Sequence, residues 1–117
     1  MKNFELEEFA SPDKKGSGKY MNEVFLDMID EARTIADIPF KITSGYRTRK
    51  RNKKVGGVTN SSHLKGLACD IRCKDSKSRF IILNALLQVG FNRIGIAKTF
   101  IHCDISLDKS HSVAWVY

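Results

Sequence analysis

Two short segments constrain this chain more than any others: Ala68-Cys69-Asp70-Ile71-Arg72-Cys73 and Phe100-Ile101-His102-Cys103-Asp104-Ile105-Ser106. In a β-strand, successive side chains point to opposite faces. Read as a strand, the second segment sends Phe100, His102, Asp104 and Ser106 to one face and Ile101, Cys103 and Ile105 to the other. The first places Asp70 opposite Cys69, Ile71 and Cys73. Each strand then has one apolar face for a core and one face carrying groups that bind metals or protons.

The rest of the pattern completes an α+β fold with a mostly antiparallel sheet and helices packed on one side. From Met21 to about Ala36, apolar residues Val24, Phe25, Met28, Ile29, Ala32, Ile35 and Ala36 recur at helical spacing, with Glu23, Asp27, Asp30, Glu31 and Arg33 on the opposite side. Pro39 limits that helix, and Phe40 to Ser44 reads as a strand. Asp75 or Ser76 caps a second helix reaching about Val89, with Phe80, Leu83, Leu86 and Leu87 as its stripe and Gly90 as its stop. Strands are predicted at about Asn92–Ile96, Phe100–Ser106 and Val113–Tyr117. Residues 47–67 are polar, with Gly56 and Gly57 at their centre, and read as a long loop with one helical turn. A loop this long inside a compact domain is usually functional.

Length and composition set outer limits. The chain has 117 residues, enough for one domain. It divides into an N-terminal segment and loop (1–19) and a core (20–117). No run approaches the about 18 apolar residues that span a membrane. The start, Met1 to Glu8, is acidic and lacks the apolar stretch of a secretory signal, so synthesis in a cytoplasm is expected. Net charge is +7. Lys41, Arg47, Arg49, Lys50, Arg51, Lys53 and Lys54 cluster without an acid among them, which suits a polyanion or a solvated loop. Aromatics are not interleaved and no nucleic-acid module is visible, so nucleic acid is not the expected partner. Cys69, Cys73 and Cys103 form no Cys-x-x-Cys pair and read as reduced core residues.

His63, Asp70 and His102 match the count of a catalytic zinc centre, which uses three protein ligands and keeps one position open. Gly66 lets the chain turn so that His63 comes back over the strand bearing Asp70. Asp104 lies two residues past His102 on the same strand face, roughly 7 Å away along the backbone. From there it could accept a proton from a water at the metal. His111 has no comparable setting and reads as a surface residue.

Ser61-x-His63-x-x-Gly66-x-Ala68-x-Asp70 resembles the signature of the zinc D-Ala-D-Ala metallopeptidases, a group that includes L-alanyl-D-glutamate endolysins and is similar to the hedgehog signalling domain. Phe100-Ile101-His102-Cys103-Asp104 resembles the second signature, a strand carrying the last zinc ligand. Ser44-Gly45-Tyr46-Arg47 resembles the upstream substrate-binding segment, and Ala114-Trp115-Val116-Tyr117 the tryptophan-containing end of the branch with His-x-Asp. The similarity covers roughly Phe40 to Tyr117.

The resemblance implies one zinc ion held by His63, Asp70 and His102. It also implies Arg47 pairing with a substrate carboxylate, Tyr46 contacting substrate and Ser61 bonding near the site. The substrate it implies is the peptide stem of bacterial peptidoglycan, cut by a carboxypeptidase or endopeptidase. The expected protein is a monomeric phage endolysin released through a holin, or a wall-remodelling enzyme. Many members place an acid three or more residues before the last histidine. Here Ala97, Lys98, Thr99, Phe100 and Ile101 precede it and none is acidic, so Asp104 takes the general-base role by geometry. Two other classes remain open from sequence: a non-catalytic zinc module and a basic nucleic-acid-binding protein.

Overall fold

The computed structural model describes residues 1–117. Helix α1 runs Glu23–Ala36, strand β1 Ile42–Ser44, helix α2 Arg49–Lys54, strand β2 Ala68–Arg72 and helix α3 Ser76–Gln88. Strands β3 (Arg93–Ile96), β4 (Phe100–Asp104) and β5 (Val113–Val116) follow, and 3-10 turns occupy Leu6–Phe9, Ser17–Tyr20 and Ser62–Lys65. The five strands form one sheet in the order β1-β2-β4-β3-β5. All neighbours pair antiparallel except β3 and β5, which run parallel.

Register places the chemistry. Asp70 lies directly opposite His102, Cys69 opposite Cys103 and Ile71 opposite Ile101. Directly opposed residues share a face. One face of the β2–β4 ladder is therefore Ala68, Asp70, His102 and Asp104, and the other is Cys69, Ile71, Ile101 and Cys103, as the alternation predicts.

The cysteine face packs against α1 and α3 in a single core that includes Phe25, Ile29, Ala32, Ile82, Ala85 and Leu86. All three cysteines are buried and free. Each large apolar side chain fully buried here contributes about 1.5–3 kcal/mol. Phe4 and Phe9 belong to the same core, with the rings 5.3 Å apart edge-to-face. The N-terminal segment is thus packed into the body of the fold.

The helices begin where side-chain acceptors allow. The Asn22 side chain accepts from the Phe25 N–H, and Asp75 from the Ser78 N–H. Caps of this type are worth about 1 kcal/mol. Helix α1 buries Phe25, Leu26, Ile29 and Ala32 but leaves Val24 and Ile35 exposed. Helix α3 departs further from expectation: Phe80 and Leu87 are exposed, while Ile82, Ala85 and Leu86 face the core. Its sequence is apolar on several sides, so periodicity did not single out the inward face. The long polar stretch 47–67 holds α2 and the Ser62–Lys65 turn. No helix is long and apolar enough to cross a membrane.

Candidate metal centre

His63 is carried by the short turn Ser62–Lys65, which starts at Ser61, whose hydroxyl accepts from the His63 N–H at 3.3 Å. The turn ends at Gly66 with φ of 69°, a left-handed conformation that glycine adopts without steric cost. A β-carbon there would also strike the Tyr20 carbonyl. The chain then enters β2 and delivers Asp70 beside His102 of β4. Donor atoms of His63, Asp70 and His102 all lie within 4.8 Å of one another. His102 Nδ1 is 2.9 Å from Asp70 Oδ1, and His63 Nε2 is 3.4 Å from the same oxygen.

The far nitrogens of both rings are held. His63 Nδ1 lies 2.7 Å from the Gly45 carbonyl oxygen, and His102 Nε2 lies 2.7 Å from Asp104 Oδ2. A carbonyl and a carboxylate can only accept, so these two nitrogens carry the protons. His63 Nε2 and His102 Nδ1, both turned toward Asp70, are then the atoms through which a metal would be held, His102 Nδ1 giving up the proton it shares with Asp70 Oδ1 when the metal binds. Rings fixed through their second nitrogen in this way are the usual support of histidine metal ligands. Two imidazole nitrogens and one carboxylate form a donor set suited to zinc.

The electrostatics keep Asp70 charged and, without a metal, keep a proton on His102. Burial pushes the Asp70 carboxyl up, but hydrogen bonds and charge from His102 and His63 outweigh it and hold the group well below the usual carboxylate range. Burial opposes charge on His102, yet hydrogen bonds to Asp104 and Asp70 raise it to about 9. The buried acid is therefore anionic, and it is ready to face a cation.

Asp104 is on the expected face and in reach of His102, but both of its oxygens are engaged. Oδ2 accepts from His102, while Oδ1 accepts from Arg93 Nε at 2.7 Å and from the Ser106 N–H at 3.1 Å. The residue is 1% exposed. Burial raises its carboxyl pKa, and these donors overcome that and lower it.

Arg47 follows β1 and reaches Asp70 Oδ2 with Nη2 at 3.5 Å. Its Nε donates to Ser44 Oγ at 3.0 Å and its Nη1 to Asn52 Oδ1 at 3.2 Å. The Arg47 N–H donates to the His63 carbonyl, tying the two segments together. Tyr46 does not line the pocket around the three donors; its ring packs on Tyr20 at 5.3 Å. His111 is exposed, with Nε2 bonded to the Ser106 carbonyl.

Above the three donors opens a cavity of about 400 Å³, walled by Arg47, Gly57, Ser61, Phe100, Trp115 and Tyr117 among others. Trp115 comes from β5, where it pairs with Gly95 of β3. A β-carbon at Gly95 would sit 2.5 Å from Trp115 Nε1, so glycine allows the indole to lie across the sheet toward His102, with ring centroids 5.5 Å apart. Arg93 stacks on the other side of the wall, 5.1 Å from the Trp115 ring. Sequence reading missed Arg93, Asn52 and Lys109. Arg93 had one signal, a charge within an apolar strand at the spacing of Gly95. The other two had none, because Asn52 sits in the short basic helix α2 and Lys109 in a polar loop.

A buried histidine–aspartate–histidine cluster, with both rings fixed and a cavity in front, could hold a metal ion with room for a substrate beside it. The chain matches the peptidase M15 family over residues 2–104 and belongs to it. This is the family of zinc D-Ala-D-Ala metallopeptidases, so the protein is a zinc-dependent metallopeptidase with a peptide substrate. No curated protein matches the chain.

Proposed function

We propose that this protein hydrolyses the peptide stem of bacterial peptidoglycan, with His63, Asp70 and His102 holding one zinc ion. The observation that carries this reading is the convergence of three donors from three separate elements within 4.8 Å, beneath an open cavity. Zinc bound there would lower the pKa of a coordinated water and polarise the scissile carbonyl.

The chain's own residues set up the rest. Asp104 holds the Nε2 proton of His102 and so keeps Nδ1 available as a donor. Gly45 does the same for His63. Arg47 offers a planar guanidinium to a carboxylate of the peptide, a pairing it makes better than lysine would. Ser61 fixes the turn that carries His63. Phe100, Trp115 and Tyr117 exclude water from one side of the cleft. For Asp104 the geometry favours orienting His102 over the proton-accepting role expected from sequence, since it bonds Nε2, on the far side of the ring from the Nδ1 turned toward Asp70.

The carboxypeptidase or endopeptidase choice, a role in phage lysis or wall remodelling, and action at the wall after release by a holin all belong to this proposal. Digestion of purified muropeptides, read by mass spectrometry with and without a chelator, tests it. Chelator-sensitive release of a defined stem fragment is expected, and the fragment names the bond. An intact stem after incubation with zinc-loaded protein would refute the reading.

A further inference from the structure

Of the three lysine and arginine side chains that line the cavity, Arg47, Arg93 and Lys109, only Lys109 has no carboxylate beside it. Asp70 is bonded by His102 and approached by Arg47. Asp104 is bonded by His102 and Arg93, which neutralises the Arg93 charge in turn. Lys109 also lines the cavity, half-buried, and its Nζ bonds only to the neutral Ser62 hydroxyl at 3.2 Å. No carboxylate lies within 4.0 Å of that ammonium. The nearby Asp108 turns outward to Lys65 at 2.9 Å and accepts from Ser106 Oγ at 2.6 Å.

Nor is the position of Lys109 casual. Its loop leads from β4 across to β5 and is tied at several points. Arg93 Nη1 donates to the Ser110 carbonyl, Ser106 bonds Asp108, and Lys65 bridges from the turn that carries His63. Ser62, the partner of Lys109, is the residue immediately before His63 and is buried. The ammonium is thus held beside one metal ligand, whereas Arg47 enters the cavity from the end of β1. A partly desolvated ammonium without a counter-charge binds an anionic group strongly. Residue 109 lies beyond the part of the chain that the family match covers, so family membership assigns it no role.

We propose that Lys109 is a specificity-determining residue that pairs with a second carboxylate on the substrate, distinct from the one facing Arg47. The site then takes peptides that carry an acidic group beside the scissile bond as well as a carboxylate toward Arg47. This rests on the peptidase reading above. In a stem peptide the group of matching chemistry is the free α-carboxylate of the γ-linked glutamyl residue.

The test compares two synthetic stem peptides that differ only in that α-carboxylate, free in one and amidated in the other. Both kcat/KM and equilibrium binding to the zinc-loaded protein are measured, for wild type, Lys109→Met and Lys109→Arg. A charge-assisted pair predicts a wild-type preference of roughly tenfold or more for the free acid. Lys109→Met should bring the two peptides to within about twofold, largely through KM, and Lys109→Arg should keep most of the preference. Equal handling of both peptides by wild type, or a preference that survives Lys109→Met, would overturn the proposal. Because binding is measured separately, a peptide that binds with the Lys109-dependent preference but is not cut upholds this pairing while refuting the hydrolase reading. Absence of binding by either peptide refutes both.

Discussion

The two faces of the β2–β4 ladder are both buried, yet they are built on opposite principles. On the cysteine face, Cys69, Ile71, Ile101 and Cys103 are all 0% exposed and pack in one core with α1 and α3. On the other face, Asp70, His102 and Asp104 are 8%, 6% and 1% exposed, covered by loops and by the β5 aromatics. The first face is stabilised by removing apolar surface from water. The second keeps polar groups buried by giving each a hydrogen-bond partner, and no buried polar side-chain atom is left without one. Burial alone therefore does not tell core from site; the chemistry of what is buried does.

That difference predicts a clean separation of phenotypes. His63→Ala or Asp70→Ala should abolish stoichiometric zinc binding, measured by metal analysis after gel filtration, and reduce peptidase activity to background. Opposite Ile71, Ile101→Ala removes a fully buried side chain and should cost about 2–5 kcal/mol in denaturant unfolding. Activity per folded, zinc-loaded molecule should survive that change. Equal loss of specific activity in Ile101→Ala would show that the two faces are not separable.

Asp104 lies where the comparison is most exposed, because it touches a ligand without belonging to the donor set. As a carboxylate that orients His102, its change to Asn should weaken zinc affinity by roughly 10–100-fold. Activity should return when excess zinc saturates the site. As a general base, the same change would leave affinity near wild type and suppress turnover even at saturation. Titrating activity against free zinc for Asp104→Asn distinguishes the two.

What was legible in the sequence follows from the same physics. Alternation along β2 and β4 is a local property with period two, so Asp70, His102 and Asp104 separated from Cys69 and Cys103 without any tertiary information. The parallel pairing of β5 with β3 is set by a loop passing beyond β3, and nothing in Val113–Tyr117 encodes direction. Helix α3 was placed correctly, and Leu83 and Leu86 of its predicted stripe meet the core, but Phe80 and Leu87 do not, because they are as apolar as the inward-facing Ile82. Within the site, Asp104 bonds His102 and Ser106 close by in the chain, but its ion pair is with Arg93, a partner on another strand. Strand spacing gave Asp104 its face and could not give it its neighbours.

The polar face also makes stability depend on pH and metal together. In the metal-free protein His102 is raised to about 9 from an ordinary 6.5, hydrogen bonds to Asp104 and Asp70 outweighing the opposing effect of burial. A raised folded-state pKa contributes stability that is complete below about pH 6.5 and is lost as pH rises through about 9. Zinc takes the place of the Nδ1 proton, so the loaded protein does not suffer that loss. The gain in Tm on adding zinc should therefore grow from pH 6.5 to pH 9, by several degrees for a domain of this size. Thermal melts with zinc and with chelator across that range check it. A gain that shrinks with rising pH would contradict the assignment of His102 Nδ1 as a donor.

The smallest effect probes the apolar face directly. Cys69 and Cys103 face each other with sulfurs 3.8 Å apart, close enough to look like a thiol pair with chemistry of its own. Burial pushes the Cys69 thiol well above its ordinary value, with the hydrogen bond to Cys103 adding to the effect, so it stays protonated and poorly suited to a metal. Strand alternation turns both sulfurs away from the three donors, so neither can join the zinc centre without flipping its strand. Cys103→Ala should then cost on the order of 1 kcal/mol for lost packing and leave zinc stoichiometry and kcat/KM unchanged. Metal lost on that substitution, with the fold intact by circular dichroism, would mean that the centre draws on both faces of the ladder.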